Sequence, residues 1–277
     1  MKLLKDIFNF YINSSIHVAI AVVAMTWVTY IELDIQLDDS VLLFIGFATI
    51  TGYNFVKYFG LAKFHHRSLA TWLKIIQIFS LLCFLAMCYY TLKLHAHSLM
   101  VIMAIAIITF FYAIPFLPKR MLLDKQQNLR QISGLKIYVI ALVWAFVTVI
   151  IPVINSEGVI STDVIMSALQ RFVFVLVLML PFEIRDLNFD NLKLATIPQR
   201  IGVKKTKAIG LLLLVLFFLM EYFKDEVKPE MILSSLILFS ITGALVLFSR
   251  KEQSPYYSAF WVESIPILWL GILLLLG

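Results

Sequence analysis

Nine apolar runs separated by short polar stretches make up most of the chain, near 10–31, 40–59, 72–92, 99–117, 136–154, 164–182, 207–222, 231–248 and 258–276. A helix of about 20 apolar residues crosses the hydrocarbon core of a bilayer. A span must also satisfy its own backbone hydrogen bonds. The runs are continuous and lack the short alternating segments of a membrane barrel. The pattern predicts an all-α integral membrane protein with nine transmembrane helices, forming one domain over 1–277 with no separate soluble part. The first run is longer than the core of a signal peptide and has no small-residue cleavage pattern, so it is expected to be a retained span.

Composition agrees. Hydrophobic residues make up 61% of the chain and charged residues 14%, against about 45–50% and 25% in soluble domains. The net charge of +6 does not call for nucleic acid, because the basic residues sit in short loops where topology explains them. With a cytoplasmic N-terminus, 19 of the 23 Lys and Arg fall on the inner side and three (Lys93, Lys224 and Lys228) on the outer; Arg171 lies inside a span. The outer stretches "ELDIQLDD" and "FKDEV" are acidic. This places the C-terminus outside, in the plasma (inner) membrane if the source is bacterial. The two long inner loops, 118–135 and 183–206, are where function is expected. Cys83 and Cys88 share one apolar run on different faces and read as packing residues.

Candidate chemistry begins at Leu180, in "LPFEIRDLNFDNLKLATIPQRIG". Within eight residues at the mouth of a span come Glu183, Asp186 and Asp190. On a helix, Asp186 and Asp190 lie one turn apart on one face, with Glu183 nearby. Such a pair suits Mg²⁺, which takes oxygen ligands and leaves positions for phosphate oxygens. Pro181 is expected to kink or restart the helix. The plainer alternative is the end of a span reaching water.

The stretch "RDLNFDNLKLATIPQRIGVKKTKAIG" resembles the second signature of the UbiA-type intramembrane prenyltransferases. That signature is an Asp-x-x-x-Asp pair, a spacer, then a Thr-(Leu/Ile)-Pro-x-x-(Leu/Ile)-Gly run, filled here by Thr196, Ile197, Pro198, Ile201 and Gly202. The segment "FYAIPFLPKR" looks like the family's Tyr-x-x-Pro segment closing the fourth span. The resemblance covers nearly the whole chain, though only the second signature is specific. It implies nine helices around a central cavity and Mg²⁺-assisted transfer of a prenyl chain from an isoprenyl diphosphate to an aromatic or quinone-like acceptor. The first signature, Asn-Asp-x-x-Asp, belongs in "GYNFVKYFGLAKFHHR". There Asn54 matches, but Phe55 and Tyr58 stand where the acids belong. No acidic residue occurs between Asp39 and Asp124, so no shift of register restores it. One metal-holding half is therefore expected, with a single Mg²⁺ on Asp186, Asp190 and Glu183. Asn54 and Lys57 join the two aspartates as catalytic candidates. Arg120, Arg130, Lys136, Arg185 and Arg171 are candidate substrate-binding cations, since fixed cations bind a diphosphate directly. The alternative is that the basic residues only set topology near lipid headgroups.

Other polar residues fall within apolar runs. Arg171 is near the middle of the sixth run, where a charge is costly and faces the bundle interior. Glu263 sits a turn into the last run, at a depth that argues against contact with Arg171. Asn13 and His17, four apart, border a cavity or bond between helices. Three functions stay open. A transferase predicts diphosphate binding that depends on Mg²⁺, Asp186 and Asp190. A non-catalytic binder of an isoprenoid or quinone-like lipid, or a partner subunit, is indifferent to chelator. A transporter requires a polar path to the outer face.

Overall fold

The structure is a computed structural model and describes residues 2–62, 71–113, 134–187 and 196–277. All regular structure among the described residues is helical. The chain forms α1 (Lys2–Asn13), α2 (Ile16–Glu32), α3 (Asp39–Ala62), α4 (Thr71–Thr91) and α5 (Ala96–Ala113). Then come α6 (Leu135–Ala145), a π-helical turn (Phe146–Ile150) and α7 (Ile151–Asn155), which together make one rod. The rest is α8 (Thr162–Asp186), the short α9 (Ile197–Ile201), α10 (Val203–Leu219), α11 (Pro229–Phe248), a second π turn (Tyr257–Val262) and α12 (Ile265–Leu276). Among the described residues seven helices are long and apolar enough to cross a membrane, or eight if α1 and α2 form one bent span; Ala96–Phe111 is a shorter apolar helix. The protein is a multi-pass integral membrane protein. Its outer surface agrees: Leu82, Leu85, Met100, Met103, Leu212 and Leu247 are all exposed, a surface that only lipid or a partner covers.

The core is set by which helices touch. α2 packs on α3 and α12, and α8 packs on α6 and α10. Phe174, Phe217 and Trp269, one each from α8, α10 and α12, lie with ring centroids 4.8–5.8 Å apart and are fully or nearly fully buried. Gly210 lets α10 approach α8 and α11: a Cβ there would lie 2.8 Å from Leu180 Cδ1 and 3.1 Å from Val246 Cγ1. Gly210→Val should therefore destabilise the bundle by about 1–3 kcal/mol, as overpacking does. Unchanged resistance to heating in detergent would refute that packing.

The helices are irregular at particular places. The apolar run expected as one helix over 10–31 breaks at Ser14–Ser15, where Ser15 adopts the left-handed conformation (φ 63°) and α1 turns 53° from α2. A break exposes carbonyls that lipid cannot satisfy, and α3 supplies the donors. Tyr58 Oη donates to Asn13 O at 2.8 Å, Lys57 Nζ to the same oxygen at 3.1 Å, and Asn54 Nδ2 to Ser14 O at 2.9 Å. Positions 54, 57 and 58 share one helix face, so one face of α3 closes the break. At the π turn of the α6–α7 rod, Thr29 Oγ1 donates to Thr148 O at 2.7 Å. Helix α8 passes through Pro181 and ends at Asp186, four residues beyond the expected span. Gln253 Nε2 donates to the Pro181 carbonyl at 2.9 Å.

Candidate functional site

The residue types of the second signature first have a structural explanation. Thr196 caps α9, its backbone N–H donating to Gln199 Oε1 at 3.0 Å, and Pro198 sits in the first turn where no N–H is needed. Gly202 has φ +82°, a conformation open to glycine at little cost, and there the chain turns into α10. The run "TIPQRIG" is thus a compact corner that returns the chain from the end of α8 to the bundle.

The acidic half lies on the last turn of α8. Glu183 and Asp186, three apart, share a face as expected, and Glu183 is buried. Between them reaches Lys136 from the first turn of α6. Its Nζ is 3.6 Å from Glu183 Oε1 and 3.7 Å from Asp186 Oδ2. The other Asp186 oxygen, Oδ1, accepts from Arg185 at 2.8 Å. Arg185 in turn lies within electrostatic reach of Glu263, and Glu263 within reach of Lys57. The groups form a chain across four elements: Lys136 on α6, Glu183, Asp186 and Arg185 on α8, Glu263 just before α12, and Lys57 on α3. Three cations stand against three carboxylates. The α1–α2 break and the second π turn flank this end of the bundle. His17 Nε2 lies 3.0 Å from Phe260 O in that turn and 3.2 Å from Ser264 Oγ, while Tyr11 Oη lies 2.7 Å from His17 Nδ1. Irregular backbone at membrane depth occurs where it is enclosed by protein or lines a polar cavity, and π turns favour functional sites.

Each candidate has a definite place. Lys57 is exposed and Arg185 half-buried, 24% exposed; both lie within electrostatic reach of Glu263. Asn54 differs from the expectation of a catalytic role. It is buried; its Oδ1 accepts from Ser15 Oγ at 2.8 Å, and its Nδ2 donates to Ser14 O and to Ser80 Oγ at 2.8 Å. Its hydrogen-bonding groups serve the helix break, so it positions Lys57 one turn on. Asn13 and His17 do not share a helix face, because the chain breaks between them, and His17 bonds between helices. Asp190, Arg120 and Arg130 lie outside the described residues, as do Lys119 and Lys193. Helix α8 closes at Asp186, so the one-turn spacing of Asp186 and Asp190 is not carried by a described helix.

Arg171 departs from the substrate-binding expectation. It lies 15 residues before Asp186 on α8, about 22 Å away along the axis. It belongs to a second buried cluster at the opposite end. Arg171 Nη2 is 3.4 Å from Glu32 Oε2 and 3.3 Å from Thr29 Oγ1, and the guanidinium stacks on Trp269 at 4.5 Å. Glu32 also binds Lys224 at 2.5 Å and accepts from Ser167; Lys224 reaches Glu221 at 2.8 Å, and Gln170 donates to the same Glu221 oxygen at 2.8 Å. Glu32 and Lys224 read in the sequence as ordinary loop charges. The signal that could have found them was Arg171 itself, since a charge inside a span requires an opposite one at its depth, and Glu32 and Glu221 end neighbouring runs.

The Mg²⁺ implied by the resemblance was tested against these residues. Among the described residues no group of three or more His, Cys, Asp or Glu is arranged to hold a metal. Both Asp186 oxygens face cations, and Lys136 stands between the two carboxylates. The described residues do not fit a divalent ion at Glu183 and Asp186.

The fold and the polar end together define a helical membrane bundle with an ion-paired mouth. No family model and no curated protein matches the chain. A solved structure of a digeranylgeranylglyceryl phosphate synthase, a UbiA-type prenyltransferase, is similar over 99% of this chain and 97% of its own, with a TM-score of 0.57 and 16% identity. The chain has the UbiA-like fold.

Proposed function

We propose that the protein transfers a prenyl chain from an isoprenyl diphosphate to a lipophilic acceptor within the membrane. The observation that carries the reading is a gathering of charged groups, the Arg185–Asp186 ion pair with Glu263 and Lys57 within electrostatic reach, at one mouth of a bundle with the fold of a prenyltransferase. In such a transfer the bond between C1 of the prenyl chain and the diphosphate oxygen breaks. Negative charge grows on the leaving group as allylic cation character develops. Fixed cations in a water-poor site stabilise that charge more than they would in water. Lys57 and Arg185 are the groups placed to do so. The reading takes nine spans, α1–α2 counting as the first and α5 as the fourth, with the N-terminus and the site on the cytoplasmic side.

The test is a product assay. The purified protein in lipid, given a labelled isoprenyl diphosphate and a panel of hydroquinone and glycerolipid acceptors, should release pyrophosphate and yield a prenylated product. A second reading, a non-catalytic isoprenoid binder, is favoured by one observation: Glu183 and Asp186 are already paired with the chain's own cations. It predicts binding with no pyrophosphate released.

A further inference from the structure

We propose that Lys136 supplies, as part of the chain, the cation that would otherwise be a metal ion between Glu183 and Asp186, so that the site receives a prenyl diphosphate with no divalent ion at that pair. The inference rests on the function proposed above and makes it more specific.

The geometry is that of an occupied cation position. One ammonium lies 3.6 Å from Glu183 and 3.7 Å from Asp186, comes from a different helix, and sits at a half-buried 29% exposure. Glu183 is 2% exposed. A carboxylate so fully buried must be compensated, and Lys136 is an ion-pair partner placed to do it. A divalent ion there would face a fixed positive charge within a few ångströms, which weakens its binding strongly even in a water-like dielectric. The arrangement also agrees with the loss of the first signature. Where the family needs opposing acidic motifs to hold metals, this chain carries Phe55 and Tyr58 at the first motif's acidic positions and offers Lys57 from that face. Both walls then present ammonium groups, and the diphosphate meets fixed charge on each side. Lys136 acts here as a positioning residue: it holds Glu183 and Asp186, and through Asp186 it orients Arg185.

Binding of Mn²⁺ to the full chain in nanodiscs, followed by electron paramagnetic resonance, tests this without needing turnover. Wild type should bind Mn²⁺ no better than Glu183→Gln/Asp186→Asn. Lys136→Gln should bind it at least about tenfold more tightly, and Lys136→Arg should stay like wild type. Tight binding to wild type that the double variant abolishes would overturn the proposal. So would equal affinity in wild type and Lys136→Gln. Should Lys136→Gln fail to fold, wild type alone decides: isoprenyl diphosphate binding should be unchanged by chelator, and its loss in chelator overturns the proposal. If wild type binds no isoprenyl diphosphate in either condition, the functional reading falls, while Mn²⁺ binding to wild type and to Glu183→Gln/Asp186→Asn still decides the role of Lys136.

Discussion

Glu32→Ala should be the most damaging single change in the protein, costing about 3–5 kcal/mol. Among the described residues its carboxylate is the one ion-pair partner shared by both buried cations, Arg171 and Lys224. Removing it leaves Arg171, 1% exposed, with no ion-pair partner among the described residues. Lys224 would keep only Glu221. Breaking a buried pair from one side costs far more than the pair contributes, because the remaining charge is stranded. Glu32→Gln should cost less, since an amide can still bond Ser167. Burial alone would pull the Lys224 ammonium down, but Glu32 and Glu221 overcome it and hold it above the usual lysine value. Its contribution is therefore complete below the ordinary lysine range and is lost only as pH rises through the raised folded value. Thermal unfolding can be read with a thiol-reactive dye in a Cys88→Ser background, so that the buried Cys83 reports. A Glu32→Ala midpoint equal to wild type would contradict the network.

The second large effect is on binding. Lys57→Ala and Arg185→Ala should each weaken isoprenyl diphosphate binding by about 1.5–3 kcal/mol, the range for hydrogen bonds to charged groups, or roughly 10- to 150-fold. Stability should change little, because Tyr58 still donates to Asn13 O at the α1–α2 break when Lys57 is removed, and Arg185 is only half-buried. Asn54→Ala should behave in the opposite way. It removes the bonds to Ser14, Ser15 and Ser80, so stability should fall by about 1–3 kcal/mol. Binding by the folded fraction should weaken only as far as Lys57 is displaced. Unfolding midpoints and equilibrium binding on the same samples separate the two patterns. A Lys57→Ala variant with wild-type affinity would remove that residue from the site.

Much of the bundle was legible because a membrane imposes a simple rule: apolar runs of sufficient length become helices. The irregularities were not. The break at Ser14–Ser15 sits in a run that reads as continuous, and what stabilises it is the face of α3 carrying Asn54, Lys57 and Tyr58. Those contacts are 39–45 residues away in sequence. The same holds for Pro181, which reads as a kink or restart, whereas α8 runs through it to Asp186 with Gln253 bonded to its carbonyl. At the site, the shared face of Glu183 and Asp186 followed from helical spacing. That Lys136 stands between them did not, because it comes from another helix and only packing brings it there. Asn54 was found by its match to a motif, yet its bonds point to the helix break rather than to a substrate. Arg171 was recognised as anomalous, and its partners became visible only once α2, α8 and the end of α10 met.

The most direct test of the central claim compares headgroups. Equilibrium binding of an isoprenyl diphosphate and of the free isoprenyl alcohol of the same length should be measured on the protein in lipid nanodiscs. If charged groups at the Asp186 end recognise the diphosphate, it should bind at least about 100-fold more tightly than the alcohol, corresponding to two charge-assisted contacts, and Lys57→Ala/Arg185→Ala should abolish the difference. Equal affinity for the two ligands in wild type would contradict the account and leave a protein that recognises only the apolar chain.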